Sequence, residues 1–267
     1  DPAFVLVVPN MSAMSQQISE LAVALEIPVP EMQNPLASLK TELGMSKGVR
    51  DDGALMVVGR DAAALIRSME DGSDPPVVVL IPVTNYNDFI ANYGGQPDGA
   101  ITKLTMPDGS DGWAKQVGDH AVMSPDKVEV TNYTPANNTD KLGALAGHFG
   151  KHYLGASHAA MFINMKALGP HALQAIDEGF EEMMAEFQRE AGGPDSGGAK
   201  MMADIFSMYR NVVRAAVRDA DSMVIGADLS PAGAGLTLTM QFREGSEMAK
   251  IVGKGGPTSA QVLNQLP

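Results

Sequence analysis

The sequence predicts an α+β fold: duplicated strand–helix–strand–strand–helix units forming a mostly antiparallel sheet with helices on one face, and a long helical hairpin in the second unit. Three observations carry this expectation. Short apolar runs rich in β-branched residues alternate with segments of helical spacing. Two alternating segments are joined by a Gly-Asp pair, as tight hairpins are. Three stretches of the second half repeat, in the same order, the pattern of the first.

From the N-terminus, "AFVLVV" (3–8) is a buried strand that Pro9-Asn10 ends. Ser12 or Ser15 is placed to cap a helix carrying Ile18, Leu21, Ala22 and Leu25 on one face, which Pro28 and Pro30 stop. A second helix is predicted over 33–43, with Gly44 as its stop. "GALMVVG" (53–59) and "PPVVVLIPV" (75–83) are strands, and "TNYNDFIANYGG" (84–95) is a capped helix ending at a Gly pair. "ITKLTM", "WAKQV" and "HAVMS" are strands, the last two hinged at Gly118-Asp119. A helix over about 138–149 follows.

The order then starts again. "MFINMKAL" (161–168) follows "VVPNMSAM" (7–14), with Asn10/Asn164, Met11/Met165 and Ala13/Ala167 in register. "MVIG" (223–226) matches "MVVG" (56–59), and "LTLTMQFREGSEMAKIVGKGG" (236–256) echoes "VVVLIPVTNYNDFIANYGG". Two units are therefore expected, 1–153 and 154–267. The second carries a helical hairpin over 170–220, formed by 170–191 and 199–220 around "AGGPDSGG". It has no counterpart of the 101–123 strands, so it is expected to be incomplete at its C-terminus after "VLNQLP". With "WAKQVGDHAVMS", "FVLVVPNMSAM", "VVVLIPVTNYNDFI" and "GLTLTMQFREGSEMA", the chain resembles a family of predicted bacterial secreted proteins of unknown function built from repeated α+β units. That resemblance implies an extracytoplasmic location, periplasmic or secreted, and supplies no site residues.

Composition excludes several classes. A net charge of -13, from 19 basic and 32 acidic residues, repels phosphate backbones and anionic lipid, so nucleic acid is not an expected partner. With no Cys, disulfides, thiolate ligands and cysteine nucleophiles are ruled out. The longest apolar run, at 75–83, is far short of the ~20 residues of a membrane-spanning helix. The start at "DPAFV" without Met fits an N-terminus that is processed or trimmed, with removal of an export signal the preferred expectation.

The sharpest chemical candidate is "GHFGKHYLGASH" (147–158). His148 and His152 are four apart and share a helix face, and His158 could complete a three-ligand zinc site. Against this stand the missing HExxH pattern, the helix-poor Gly147 and Gly150, and a position at the seam between the units. No metal site, catalytic residue or cofactor is therefore assigned. In the hairpin, Glu178, Glu182, Glu186 and Glu190 face the stripe Arg210, Arg214 and Arg218, a pattern that fixes helix register. The buried faces are read as Leu173, Ile176, Phe180, Met183 and Phe187, and as Ile205, Tyr209, Val212 and Ala216. Met183, Met184, Met201, Met202 and Met208 could line an adaptable cleft, with core packing the simpler use.

"PDGSDGW" (107–113) and "DGSDPP" (71–76) lack the calcium-loop pattern and are turns. Trp113 is a packing residue at the sheet margin, and the Asn-x-Ser/Thr triplets at Asn10, Asn132 and Asn137 are turn chemistry. No nucleophile elbow or S-x-x-K occurs. The expected function is a non-enzymatic exported binding, scaffold or envelope-associated protein, with a protein partner or self-association. The alternatives are a metal-dependent or serine-type hydrolase, and a carrier of an apolar ligand in a Met-lined cleft between hairpin and sheet.

Overall fold

Six consecutive apolar residues, with no polar one among them, make β3 (Val77–Pro82) a strand that neither face leaves in water. In the computed structural model, which describes residues 1–73, 75–135, 140–190 and 197–254, β3 lies well inside an antiparallel sheet. The other strands among the described residues are β1 (Phe4–Val8), β2 (Leu55–Gly59), β4 (Gln96–Asp98), β5 (Ile101–Thr105) and β6 (Asp111–Val117). They are completed by β7 (His120–Ser124), β8 (Ala159–Asn164), β9 (Ala220–Ser230) and β10 (Gly233–Phe242). Their spatial order is β10-β9-β8-β1-β2-β3-β7-β6-β5-β4, so the class is α+β as the sequence predicts.

The chain divides into two compact units, Asp1–Ile163 with Met223–Thr239, and Asn164–Ser222 with Met240–Pro267. In the first, the two side-chain parities of the sheet feed separate cores. On one face, Ile81, Val83, Ala114, Ala121 and Met123 pack with Phe89 and Tyr93 of and after α5 (Tyr86–Ala91). On the other, Val78, Leu80 and Val122 pack against Tyr133, which follows α6 (Lys127–Asn132). Val5, Phe162 and Val224 pack there against Leu142, Leu145 and Ala146 of α7 (Asp140–Ala156). Helices thus cover both faces where the sequence reading placed them on one, because the central strands are apolar at both parities.

Local chemistry sets the element ends. α1 (Met11–Ala24) is capped by Asn10, whose Oδ1 accepts from the Ala13 amide at 2.8 Å. Neither predicted cap serves: Ser12 donates to Asn10 Oδ1 at 2.9 Å, and Ser15 Oγ accepts from the Leu36 amide at 3.0 Å. The helix predicted over 33–43 is α3 (Pro35–Glu42), capped by Asn34 and preceded by an unanticipated turn of helix, α2 (Pro30–Gln33). α4 (Ala62–Asp71), α6 and the three-residue β4 were not anticipated. Across the two-residue Gly118-Asp119 connection Val117 pairs with His120, with positive φ only at Gly118, the arrangement of a type II′ hairpin. The helix expected over 138–149 is α7, broken at Gly147 (φ 73, ψ 179); residues 136–139 lie outside the described set.

In the second unit the hairpin is α8 (Met165–Glu190) and α9 (Gly197–Asp219), followed by α10 (Glu247–Lys254). α8 starts before Pro170 and runs through it, at the loss of one helix bond. The hairpin core is Phe187 against Phe206, rings 6.2 Å apart and edge-on. The α9 face read as buried is open instead: Tyr209 is 59% and Val212 54% exposed. The charge pairing is also displaced by one residue. Asp177 accepts from Arg210 Nε at 2.8 Å and from Arg214, Glu181 lies 3.5 Å from Arg210, and Arg218 pairs with Asp219 and Glu247. Arg214 first, then Arg210, holds the Asp177 carboxyl below its ordinary range. Most of the "AGGPDSGG" connector, the side chains of Met201 and Met202, and "VLNQLP" lie outside the described residues.

α1 ends in a tight motif in which the Ile27 amide reaches the Ala22 carbonyl at 2.9 Å and the Glu26 amide reaches Val23 at 3.2 Å. This geometry puts Glu26 at φ 54, the one left-handed non-glycine residue among those described. Glu26→Gly relieves that strain, less the unfolded-state entropy of glycine, and should raise the urea unfolding free energy by about 0.5–1 kcal/mol.

Candidate functional site

The site with the clearest ligand-binding geometry is a cleft of about 500 Å³ in the first unit. Its floor is the sheet: Val79 and Ile81 of β3 and Met123 of β7, with Val79 and Met123 directly paired across the strands. One wall is the end of α3. There the Met45 amide donates to the Lys40 carbonyl at 2.7 Å and the Gly44 amide to Thr41 at 3.2 Å, with Gly44 at φ 68. This pair of bonds is the Schellman motif; it turns Met45 into the core and leaves Leu43 at the rim. Tyr93 holds the wall in place by donating its hydroxyl to the Leu43 carbonyl at 2.8 Å, while its ring sits edge-on to Phe89, 5.5 Å away.

The opposite wall is the β5–β6 turn. The Gly109 amide closes a β-turn onto the Met106 carbonyl at 2.9 Å, and Pro107 presets its first corner. Asp108 Oδ1 accepts from the Ser110 amide at 2.9 Å and from the Ser110 hydroxyl at 2.7 Å, which keeps the carboxyl below its ordinary range. "PDGSDGW" is thus a turn, as read. Within it, Gly112 faces Met106: a Cβ there would come within 2.9 Å of the Met106 sulfur, so the missing side chain is the space Met106 occupies.

The lining is therefore thioether and aliphatic, from Met45, Met106 and Met123 with Val79, Ile81 and Leu43, and polar groups stand at the mouth. Asp111 is paired with Lys103 at 2.6 Å; Glu42 and Asp108 have no cationic partner among the described residues. Apolar walls, an oriented polar rim and this volume are the ordinary dimensions of a small-molecule pocket. Among the described residues no methionine of the hairpin, where the sequence suggests a Met-lined cleft, lines this one. Met183 and Met208 of the hairpin are exposed.

The histidines do not converge. His148 and His152 lie on the exposed side of the second half of α7, beyond the Gly147 break. His158 is turned toward β9, where its Nδ1 accepts from the Leu229 amide at 3.3 Å, 3.5 Å from Asp228. No three His, Asp or Glu among the described residues are placed to hold a metal ion. Ser157, His158 and Asp228 meet, but in an order unsuited to acyl transfer. The buried Ser157 hydroxyl points to Asp228 at 3.4 Å, so no histidine nitrogen receives its proton. Asp119 and His120 pair at 2.8 Å with Arg50 on the carboxylate, and none of these three is a hydroxyl nucleophile. Trp113 on β6 carries Lys127 over its ring at 4.7 Å, a sheet-surface contact.

This site was not singled out from sequence; the signals that could have marked its walls are an apolar Met45 directly after the Gly44 stop and Pro107-Asp108-Gly109 between strands. No family model, curated protein or solved structure matches the chain.

Burial pushes the Tyr93 phenol up to about 12 from 10.0. A phenol whose folded pKa exceeds its unfolded one stabilises the fold below pH 10.0, and that contribution is lost as pH rises from 10.0 to about 12. Tyr93→Phe should cost about 1–2 kcal/mol at neutral pH, by leaving the Leu43 carbonyl without its donor. It should also shrink the alkaline fall in stability measured by urea unfolding, the half-buried Tyr86 and Tyr133 supplying what remains.

Proposed function

We propose that the protein is a non-enzymatic binding protein that takes an apolar ligand in the cleft between the α3 end, the β5–β6 turn and the sheet. The observation that carries the reading is the lining: Met45, Met106 and Met123 present flexible, polarizable surface that adapts to ligand shape. Glu42 and Asp108 at the mouth favour neutral or cationic heads and disfavour carboxylates. An extracytoplasmic setting belongs to this proposal and rests on the family resemblance. The hydrolase alternatives find less support, since neither the histidines nor Ser157 stand in a reactive geometry.

The chain is further proposed to be a duplication. Outward from the β1–β8 pair the sheet runs β1-β2-β3 on one side and β8-β9-β10 on the other, the order of the sequence matches. Gly59 and Gly226, which those matches align, are both crowded near the start of the first strand of their own repeat. A Cβ on Gly59 would strike the Phe4 ring, and one on Gly226 would lie 2.6 Å from Ser157 Oγ.

Calorimetric titration with decanol, decyltrimethylammonium and decanoate tests the binding reading. Decanol and the ammonium compound should bind saturably at one site, decanoate about tenfold more weakly. Leu43→Trp, which fills the mouth from an exposed position, should weaken both by tenfold or more without lowering the melting temperature. Absence of saturable binding by all three compounds removes the proposal.

A further inference from the structure

Every open sheet ends in strands whose outer amides and carbonyls seek partners, and folded proteins blunt such edges with short strands, Pro or charge. One edge of this sheet is blunted. β4 is three residues long and carries Pro97 and Asp98. The other edge is not, among the described residues. β10 runs for ten residues, "GAGLTLTMQF", without a charged residue and without Pro. Leu236 and Leu238 alternate with Thr237 and Thr239, so the two leucines project from one face, 79% and 58% exposed. Both are far more exposed than core packing would leave them.

We propose that β10 pairs antiparallel with β10 of a second copy of this chain, joining the two sheets across a two-fold axis. Three observations select that occupant. A strand that pairs with its own copy about a two-fold axis must run antiparallel, and antiparallel pairing is the mode used throughout this sheet. Two copies of a chain with net charge -13 repel over most of their surfaces, and β10 is a ten-residue stretch free of that charge. In the proposed duplication β10 corresponds to β3, whose outer side already carries an antiparallel partner, β7. Pairing also covers Leu236 and Leu238 with the same leucines of the other copy, in reversed order, an isologous contact that closes at two copies.

Sedimentation velocity and light scattering over a concentration series test this on the full chain. The wild-type protein should form a dimer at micromolar concentration, and amide exchange over 233–242 should slow as the dimer forms. Leu238→Lys brings like charges to the centre of the paired strands, and Thr237→Pro distorts or unpairs the edge. Each should weaken dimerisation by tenfold or more, and Leu238→Lys, at an exposed position, should leave the circular dichroism of the monomer unchanged. A wild-type chain that stays monomeric at hundreds of micromolar overturns the proposal. So does a dimer that neither substitution weakens, or one whose exchange protection falls outside 233–242.

Discussion

The fold depends on β3 being buried on both faces. Val78 and Leu80 close one core, Val79 and Ile81 the other, so a single strand is shared by two hydrophobic clusters. A strand in that position tolerates no alternation of polar and apolar residues, and none is present. It also obliges the chain to supply cover twice. α5 and the α3 end provide it on one side, α6 and the Tyr133 that follows it on the other. The core that forms on the α5 side is closed by Phe89 and Tyr93 at one end and left open at the other, and the opening is the cleft.

That opening is built, and two backbone devices keep it from collapsing. The Schellman bonds at Gly44 fix the direction in which Met45 enters and Leu43 leaves, and the Tyr93 hydroxyl ties the Leu43 carbonyl to the core. On the other side Pro107, Gly109 and the two hydrogen bonds from Ser110 to Asp108 hold the turn in one shape. Between these fixed walls the side chains that line the space are methionines, with three rotatable bonds each. Rigid backbone around soft side chains is a combination suited to accepting apolar molecules of varied outline. The carboxylates at the rim stay in water, where ionisation costs little.

What the sequence disclosed follows from the range of each signal. Strands such as "AFVLVV" and "PPVVVLIPV" were legible because burial on both faces leaves an unbroken apolar run, and the Gly118-Asp119 hairpin because its turn demands a positive φ. α4 was legible in principle, with Asp61 to cap it and left-handed Gly72 to stop it, but its ten residues fall between two stronger strand signals. Periodicity marked the α9 stripe of Ile205, Tyr209 and Val212 correctly as a stripe. It could not say whether a neighbour covers it, and among the described residues Tyr209 and Val212 stay more than half exposed. The spacing of His148, His152 and His158 is real in sequence, yet His158 turns toward the Leu229 amide and no three-ligand set forms among the described residues. The cleft was the least legible feature, since Met45, Met106 and Met123 lie on three separate segments that only the sheet brings together.

The central claim is that this cleft receives an apolar ligand, and methionine-methyl NMR tests it most directly. Titration of decanol into protein carrying labelled Met methyl groups should shift Met45, Met106 and Met123 together along one saturating curve, while Met208 on the exposed α9 surface stays in place. Shifts spread evenly over all methionines, or confined to Met183 and Met208, would contradict the account.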